Sequence, residues 1–448
     1  MKIKQFEDKG LAHYSYAILS EENKEVVLVD PARDPQPYYD YAQDNNAKIV
    51  GVIETHPHAD FVSSHLEIHE KTGATIYAHS LVGADYPHKA FDEGDTLQIG
   101  EVTFRSIHTP GHSPDGISIV AEHEGKDVAV FTGDTLFIGD VGRPDLRESA
   151  GNITAKREEL ARQMYQSTRE KLMKLDDDVT VYPAHGAGTL CGKGLSEANS
   201  STIGAEKRSN YALQDMSEDE FVKILTEDQP FIPKYFGYDV GLNKQGAPSY
   251  QQSIKGVARL EKNFKPEGSA IVVDARSEST FKKGHYQGAI NIQNGGKFET
   301  WLGSIVGPSE SYYLVAESEE ELSELITKAA KIGYELLIKG AFVMDAAADV
   351  KSPQIDVEEF KQHQGDYTIV DIRNASEVKG GKFFDKAINI PLPELRERAN
   401  EIPKDKPVVV HCAGGYRSAA GSSIVEAALP DVKVLDLSEA VNDFKNGQ

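Results

Sequence analysis

Histidine and aspartate residues recur in four short clusters within the first half of the sequence. Residues 55–60 read THPHAD, residues 109–112 read TPGH, residues 132–135 read TGDT and residues 183–186 read PAHG. Each cluster follows an apolar run that is typical of a β-strand. A single His-x-His pair would be explained as solvated loop residues. Four clusters at strand ends instead predict a divalent metal site, because neutral imidazoles and carboxylates on stiff supports are the donors that such an ion needs.

A second reactive group is predicted near the end of the sequence. Residues 407–411 (PVVVH) are typical of a short buried strand, and the loop Cys412-Ala-Gly-Gly-Tyr-Arg417 and a helix start rich in small residues follow. Such a loop surrounds the sulfur with backbone N–H groups and a helix N-terminus, which stabilise a thiolate. Arg417 adds a positive charge that favours an anion. Although a lone buried cysteine is usually inert, we predict that Cys412 is a nucleophile.

The composition restricts the class of protein that carries these groups. A chain of 448 residues with a net charge of −23 is long enough for two to four domains, and it is too acidic for nucleic acid to be its main partner. The N-terminal residues lack the apolar core of a signal peptide, and no apolar run approaches the ~18 residues of a membrane span. Two cysteines are too few for a disulfide framework. We expect a cytoplasmic protein without a membrane span that forms a homo-oligomer.

The elements that position the first four clusters are short strands alternating with helices. Apolar runs at residues 48–53, 102–107 and 179–182 predict strands, and residues 157–175 show a helical pattern. This alternation predicts an α/β layered fold with its site at the strand ends. Residues 228–253 are rich in Pro, Gly, Tyr and Gln, and they predict a connection between domains.

The second half of the sequence contains a repeat. Residues 270–292 and 368–390 each combine an apolar strand that ends in Asp-x-Arg, a polar stretch and the tetrapeptide Ala-Ile-Asn-Ile, and the copies lie 97 residues apart. This period is too long for a solenoid unit and indicates a duplicated domain. We predict four segments, which are a first domain at residues 1–235, a linker at 236–253 and two copies at 254–350 and 354–448.

The metal-site pattern resembles the metallo-β-lactamase superfamily, which implies an αββα sandwich. In two-zinc members the position of Phe61 is a histidine ligand, and a phenylalanine cannot bind a metal, so a mononuclear site is favoured. The closer resemblance is to the persulfide dioxygenase branch. It rests on three segments, namely residues 133–137 (GDTLF), 142–145 (GRPD) and 185–194 (HGAGTLCGKG).

This second resemblance implies one Fe(II) per chain, held by His56, His112 and Asp134. Two histidines and one carboxylate form a facial triad that leaves positions open for O2 and substrate. His58, Asp60 and His185 are then expected to orient ligands and water through hydrogen bonds. Cys191 lies in a glycine-rich loop that favours exposure. It is predicted either to handle the persulfide sulfur near the metal or to be a small buried residue.

The Cys412 loop resembles the rhodanese family of sulfurtransferases. Cysteine phosphatases use a loop one residue longer, whereas Arg417 lies five positions after Cys412. The middle copy has no cysteine, and an acidic run replaces the loop, so this copy resembles an inactive rhodanese with a structural role. Over nearly its full length the sequence resembles fused persulfide dioxygenase–sulfurtransferases of bacterial sulfide detoxification. The expected small-molecule partners are a persulfide, O2 and sulfite.

Two other functions stay open at this point. One is a zinc thioesterase of the glyoxalase II type with an accessory rhodanese domain. The other is a non-catalytic persulfide relay or sensor that uses Cys191 and Cys412. The first would bind two zinc ions, and the second would consume no O2.

Overall fold

The structure is a computed structural model that describes residues 1–148, 156–268, 270–345 and 350–445. These residues divide into two units. The first comprises Met1–Ser253 with Ala330–Gly333, and the second comprises Ile254–Ala329 with Tyr334–Gln448. Residues 236–253, predicted as a linker, are largely helical and belong to the first unit.

A six-stranded sheet opens the first unit, with its strands in sequence order from edge to edge. The strands are β1 (Lys2–Asp8), β2 (His13–Ser20), β3 (Glu25–Val29), β4 (Lys48–Ile53), β5 (Thr75–Ala78) and β6 (Lys89–Ala90). The first three strands are antiparallel, and those from β3 to β6 are parallel. The predicted strand at residues 48–53 is confirmed as β4, and the first histidine cluster begins just after it.

A second six-stranded sheet follows, in the spatial order β12-β11-β10-β9-β8-β7. Its strands are β7 (Thr96–Ile99), β8 (Val102–His108), β9 (Ile117–His123), β10 (Lys126–Gly133), β11 (Thr180–Pro183) and β12 (Ser201–Thr202). β10 and β11 are parallel, so both end at the same edge of the sheet. The clusters that contain Asp134 and His185 therefore begin side by side.

Seven helices of the described residues belong wholly or largely to this unit. They are α1 (Gln36–Asp44), α2 (His65–Thr72), α3 (Arg157–Gln166), α4 (Ile203–Ser209), α5 (Glu218–Thr226), α6 (Phe236–Gln245) and α7 (Tyr250–Gly256). The predicted helix at residues 157–175 begins correctly as α3, but regular α-helix ends at Gln166. A π-helical segment (Ser167–Lys171) and a 3-10 turn (Leu172–Lys174) follow it. The Thr168 hydroxyl donates to the Met164 carbonyl, and such back-bonding disturbs a regular helix.

The side chains of each strand alternate between the two faces of its sheet, and this alternation gives the first unit its layers of sheets and helices. Tyr16 and Ile18 of β2 pack in a core that includes Phe104 of the second sheet, because successive side chains of a strand point to opposite faces. The intervening Ala17 and Leu19 pack in a separate core that includes residues of α1 and α2. The outer face of the second sheet packs in the same way against α3, α4 and α5. The predicted αββα sandwich is confirmed.

The second unit contains two parallel four-stranded sheets with the same connectivity, in the orders β14-β13-β15-β16 and β18-β17-β19-β20. The strands of the first are β13 (Ile271–Asp274), β14 (Ile290–Asn291), β15 (Tyr312–Ala316) and β16 (Ile338–Val343). Those of the second are β17 (Thr368–Asp371), β18 (Ile388–Asn389), β19 (Val408–His411) and β20 (Val434–Asp436). The shared order supports duplication, and the predicted α/β fold class is confirmed for this half as well.

The helices of the second unit alternate with its strands. They are α8 (Glu278–Lys283), α9 (Phe298–Ile305), α10 (Glu319–Ala330), α11 (Val357–Gln362), α12 (Ala375–Lys379), α13 (Leu395–Arg398) and α14 (Tyr416–Ala428). The last residue of α10, Ala330, is grouped with the first unit. Within the described part of the chain, no helix is both long and apolar enough to cross a membrane.

Repeated hydrogen bonds explain the repeated sequence. In the first copy, Arg276 forms a bidentate ion pair with Asp274. The side-chain amide of Asn291 donates to the backbone carbonyls of both Asp274 and Arg276 at 2.9 Å. In the second copy, Arg373, Asp371 and Asn389 repeat this arrangement, with the asparagine bonds at 2.8 Å. The asparagine of Ala-Ile-Asn-Ile therefore closes the Asp-x-Arg turn in both copies.

Candidate functional site

The predicted metal donors His56, His112 and Asp134 lie together at the strand ends of the first unit. One ligand atom from each lies within 4.8 Å of the others, and all three residues are buried. Oδ2 of Asp134 lies 3.4 Å from Nε2 of His112 and 3.8 Å from Nε2 of His56. The sheets thus bring together residues that are up to 78 positions apart in the sequence.

Hydrogen bonds at Nδ1, on the side of each ring away from Asp134, orient the imidazoles of His56 and His112. Nδ1 of His112 lies 2.9 Å from the carbonyl oxygen of Arg143, and Nδ1 of His56 lies 3.1 Å from the Thr55 hydroxyl, which itself donates to Asp30. With Nδ1 engaged in each ring, Nε2 faces the carboxylate of Asp134. Partners of this kind fix the ring orientation of metal-binding histidines.

Arg143 explains part of the GRPD motif. Its guanidinium makes a two-pronged ion pair with Asp145, with both N–O distances at 2.7 Å. Its backbone N–H donates to the Cys191 carbonyl at 2.9 Å, while its own carbonyl accepts from His112. The motif therefore connects the His112 loop to the Cys191 loop.

The three donors fit a bound metal ion. Nε2 of His56 and Oδ2 of Asp134 are buried and have no hydrogen-bond partner among the residues that the structure describes. Buried polar atoms without partners are costly and rare. A cation between them would satisfy both atoms, so the donor set suits a divalent metal.

The surroundings of His56, His112 and Asp134 favour the protonation states in which these side chains can bind a metal. Burial lowers the pKa of His56 and of His112, which keeps the imidazoles neutral at neutral pH. Burial opposes ionisation of Asp134, but the nearby His185, His112 and His56 outweigh it and hold its pKa well below the usual range. The site therefore offers two neutral nitrogen donors and one carboxylate.

His185 joins two carboxylates behind this set. Its Nδ1 lies 2.7 Å from Oδ1 of Asp134, and its Nε2 lies 2.7 Å from Oδ2 of Asp60. Burial disfavours the cation, yet the charges of Asp134 and Asp60 and the hydrogen bonds to them raise the pKa of His185 well above its usual value. Through Nδ1, His185 orients Asp134. The orienting role expected of His185 and Asp60 around a bound metal stays a prediction.

His58 faces a different group of side chains. Its Nε2 lies 3.2 Å from Oδ1 of Asp30, and these two residues form a second buried cluster with Glu54. Phe61 packs beside it, with ring centroids 4.3 Å apart. His58 therefore contacts Asp30, which supports the loop through the N–H and hydroxyl of Thr55.

Sequence reasoning missed His13. This residue begins β2, is almost fully buried, and its ring centroid lies 3.7 Å from that of Phe61 and 5.6 Å from that of His185. Burial and the neighbouring histidines lower its pKa well below the usual value. The sequence signal is weak, because a single histidine at the start of a strand has no characteristic spacing.

Cys191 is buried, and the expectation of exposure is wrong. Its accessible fraction is 1%, and its sulfur forms a cluster with Asp60 and His185 whose ligand atoms lie within 4.8 Å of one another. The glycines around it let the loop fold inward. Burial, together with the charges of Asp60 and Asp134, raises the pKa of the thiol well above its usual value.

We predict that Cys191 reacts slowly with iodoacetamide. At pH 7.5 the raised pKa leaves the thiol protonated, and alkylation requires the thiolate. We expect a rate at least about tenfold below that of the same residue in denatured protein, measured by mass spectrometry of the Cys191 peptide. Equal rates in the native and denatured protein would show that the thiol is open and ionised.

The second site lies at the end of β19. The N–H of Gly415 donates to Sγ of Cys412 at 3.1 Å, and α14 begins at the next residue. The predicted loop is thus confirmed as a turn between strand and helix. The side chain of Arg417 makes two hydrogen bonds of 2.7 Å to Glu377 of α12. Sequence reasoning missed this carboxylate, which partly neutralises the arginine.

Comparisons with known proteins agree with this geometry. The family model described as the metallo-β-lactamase superfamily matches residues 9–185, and the rhodanese-like domain model matches residues 356–440. The chain resembles the crystal structure of a metallo-β-lactamase from Staphylococcus aureus with a TM-score of 0.68 and 30% identity, covering 76% of this chain and 98% of that one.

Two curated relatives are named for different functions. One is the cytoplasmic hydroxyacylglutathione hydrolase of Arabidopsis thaliana, 34% identical over 39% of this chain and 63% of the relative. The other is the mitochondrial persulfide dioxygenase of Mus musculus, 26% identical over 53% of this chain and 84% of the relative. The 30% identity to the Staphylococcus aureus structure over 98% of that chain shows that this chain belongs to the metallo-β-lactamase superfamily, and the match at residues 356–440 shows that it carries a rhodanese-like domain.

Proposed function

We propose that the protein is a non-haem Fe(II) persulfide dioxygenase coupled to a sulfurtransferase, with one iron per chain. The first reaction converts a low-molecular-weight persulfide, R-S-SH, with O2 and water into the thiol R-SH and sulfite. In the second, the Cys412 thiolate attacks the outer sulfur of another R-S-SH, which breaks the S–S bond, releases R-SH and leaves Cys-S-SH. Sulfite then takes that outer sulfur, which yields thiosulfate and regenerates the Cys412 thiol. Sulfite links the two sites chemically, as the product of one and the acceptor at the other.

One observation carries the proposal of a single metal. His185 has one ring nitrogen at 2.7 Å from Asp134 and the other at 2.7 Å from Asp60. Both ring nitrogens therefore already have a carboxylate partner, which favours a single metal at His56, His112 and Asp134. Phe61 also stands at the position of a histidine ligand in two-zinc members. The relative named as a persulfide dioxygenase adds support.

The residues of the chain have separate tasks in the first reaction. His56, His112 and Asp134 would hold the metal, while the Arg143 carbonyl, Thr55 and His185 keep those donors in place. Bound Fe(II) would supply the redox chemistry that activates O2 towards the persulfide sulfur. The buried surroundings exclude bulk water from the donors.

The alternative is a zinc thioesterase of the glyoxalase II type. It is favoured by the 34% identity to the plant hydroxyacylglutathione hydrolase. Such an enzyme would use Asp60 and His185 as ligands of a second metal. The presence of Cys191 in the same cluster gives that position three potential donors.

Metal content and substrate use together separate the two functions. We predict about one iron per chain by elemental analysis and O2 uptake with a panel of glutathione, coenzyme A and cysteine persulfides, because two histidines and one carboxylate are the donor types of non-haem Fe(II) sites. Sulfite and thiosulfate are the products to be measured. Two zinc ions per chain with hydrolysis of a hydroxyacylglutathione would instead establish the thioesterase. A protein that carries persulfide on its cysteines but consumes no O2 would be a relay or sensor.

A further inference from the structure

We propose that the cysteine-less rhodanese-like copy is a positioning element for the Cys412 loop, acting through Lys282 and Glu278 on one side and through Gln293 on the other. This inference rests on the proposed role of Cys412 in sulfur transfer. The copy has no cysteine of its own, and the contacts described below lie inside the second unit.

The first contact begins at Gly415, the residue whose N–H bonds to the sulfur. Gly415 is buried with φ of +105°, and a Cβ at this position would lie 2.9 Å from the backbone nitrogen of Glu439. The Cys412 loop is therefore pressed directly against the backbone at Ser438 and Glu439. Any shift of that segment would move the Gly415 N–H relative to the sulfur.

Two bonds hold that segment. Ser438 is a non-glycine residue with φ of +52°, a conformation that needs support from its surroundings. Its N–H donates to Asp436 at 2.9 Å, and its hydroxyl donates to Oε2 of Glu278 at 2.7 Å. Glu278 lies on α8 of the cysteine-less copy.

Lys282 binds the two carboxylates, Glu278 and Asp436, that hold Ser438. Its ammonium lies 3.0 Å from Oδ2 of Asp436 and also binds Glu278, one turn earlier on α8. Burial raises the pKa of Asp436, and the charge of Lys282 offsets part of that effect. Removal of Lys282 would leave a nearly fully buried carboxylate next to Ser438 without its cation, which would disturb the support of Gly415.

The second contact is at the next residue of the loop. The Tyr416 hydroxyl donates to the Gln293 carbonyl at 2.7 Å. Close packing beside it requires a glycine, because a Cβ on Gly295 would lie 2.9 Å from the Tyr416 ring. The cysteine-less copy therefore supports two consecutive loop residues through independent contacts.

The test measures the reactivity of Cys412 in the full-length protein. In Lys282→Met we expect alkylation of the Cys412 peptide by iodoacetamide at pH 7.5 to slow about tenfold, since small misplacements of positioned groups have effects of that size or larger. The midpoint of the alkylation rate against pH should move to higher pH, because a displaced N–H stabilises the thiolate less. Lys282→Arg should restore most of the rate. Tyr416→Phe should show a smaller loss in the same direction.

Lys283→Met is the matched control, because Lys283 is the next residue on the same helix and is exposed. Thermal unfolding checks that each variant is folded. If Lys282→Met lowers Tm strongly, the milder Glu278→Gln and Tyr416→Phe variants decide instead. A wild-type alkylation profile in folded variants would overturn the proposal. If wild-type protein makes no thiosulfate but Lys282→Met still slows alkylation, the positioning role stands and the proposed sulfur transfer fails.

Discussion

Replacement of His112 by alanine is expected to abolish both iron binding and persulfide-dependent O2 consumption. Nε2 of His112 lies 3.4 Å from Asp134, and its Nδ1 is held by the Arg143 carbonyl, so the ring is fixed as a donor. Loss of supporting partners alone costs about 10–100-fold in metal affinity. Loss of a ligand should therefore cost at least about 100-fold. Elemental analysis and an O2 electrode measure the two effects.

The same variant should retain transfer of sulfur from thiosulfate to cyanide, because Cys412 belongs to the other unit. His123→Ala is the control, since His123 ends β9 and takes part in none of the clusters of potential metal donors in the described residues. It should keep both the iron and the O2 uptake. An His112→Ala protein with a full complement of iron would contradict the assignment of the ligand set.

The clustering of the candidate metal donors could be predicted because their signal is local. His56 and His58 follow an apolar run that is recognisable as β4, and His112, Asp134 and His185 follow the other strands in the same manner. Parallel strands such as β10 and β11 end at one edge, so donors placed after them must approach each other. Strand-end position and residue type therefore predicted a shared site without any knowledge of distances.

The burial of Cys191 could not be predicted in that way. Its glycine-rich surroundings indicate an irregular loop, but whether such a loop turns outward or inward depends on its distant partners. Here the Cys191 carbonyl accepts from the backbone of Arg143, 48 positions earlier in the chain. The ion pair of Arg417 with Glu377 escaped prediction for the same reason, because nothing local to either residue indicates the other.

The duplication could be recognised in the sequence because the repeated residues form hydrogen bonds within their own copy. Asn389 closes the turn between Asp371 and Arg373, so the spacing of these residues is restricted. The contacts of α8 with the end of β20 involve residues outside the repeated pattern, such as Ser438. They became apparent only when the structure placed the two copies side by side.

The proposed sulfur transfer at Cys412 is chemically separate from the proposed oxidation at the metal site, and it depends on the surroundings of the Cys412 sulfur. Its sulfur accepts the Gly415 N–H at the start of α14, and Arg417 provides a guanidinium that is already paired with Glu377. Burial opposes the charge of Arg417, but the hydrogen bonds to Glu377 outweigh it and raise the pKa of the guanidinium. The arginine therefore stays cationic, and its position is fixed before any anion arrives.

Replacement of Cys412 by serine is expected to leave O2 consumption near the wild-type rate while changing the product. Sulfite should accumulate, and thiosulfate should fall to the uncatalysed level, because a serine hydroxyl cannot hold a transferable sulfane sulfur at neutral pH. Serine is close in size to cysteine, so the buried turn after β19 should keep its fold, which thermal unfolding can check. The measurement is the ratio of sulfite to thiosulfate during persulfide turnover. Thiosulfate formed at the wild-type rate would mean that Cys412 carries no sulfur, and Cys191→Ser would then show whether the buried thiol of the first unit does.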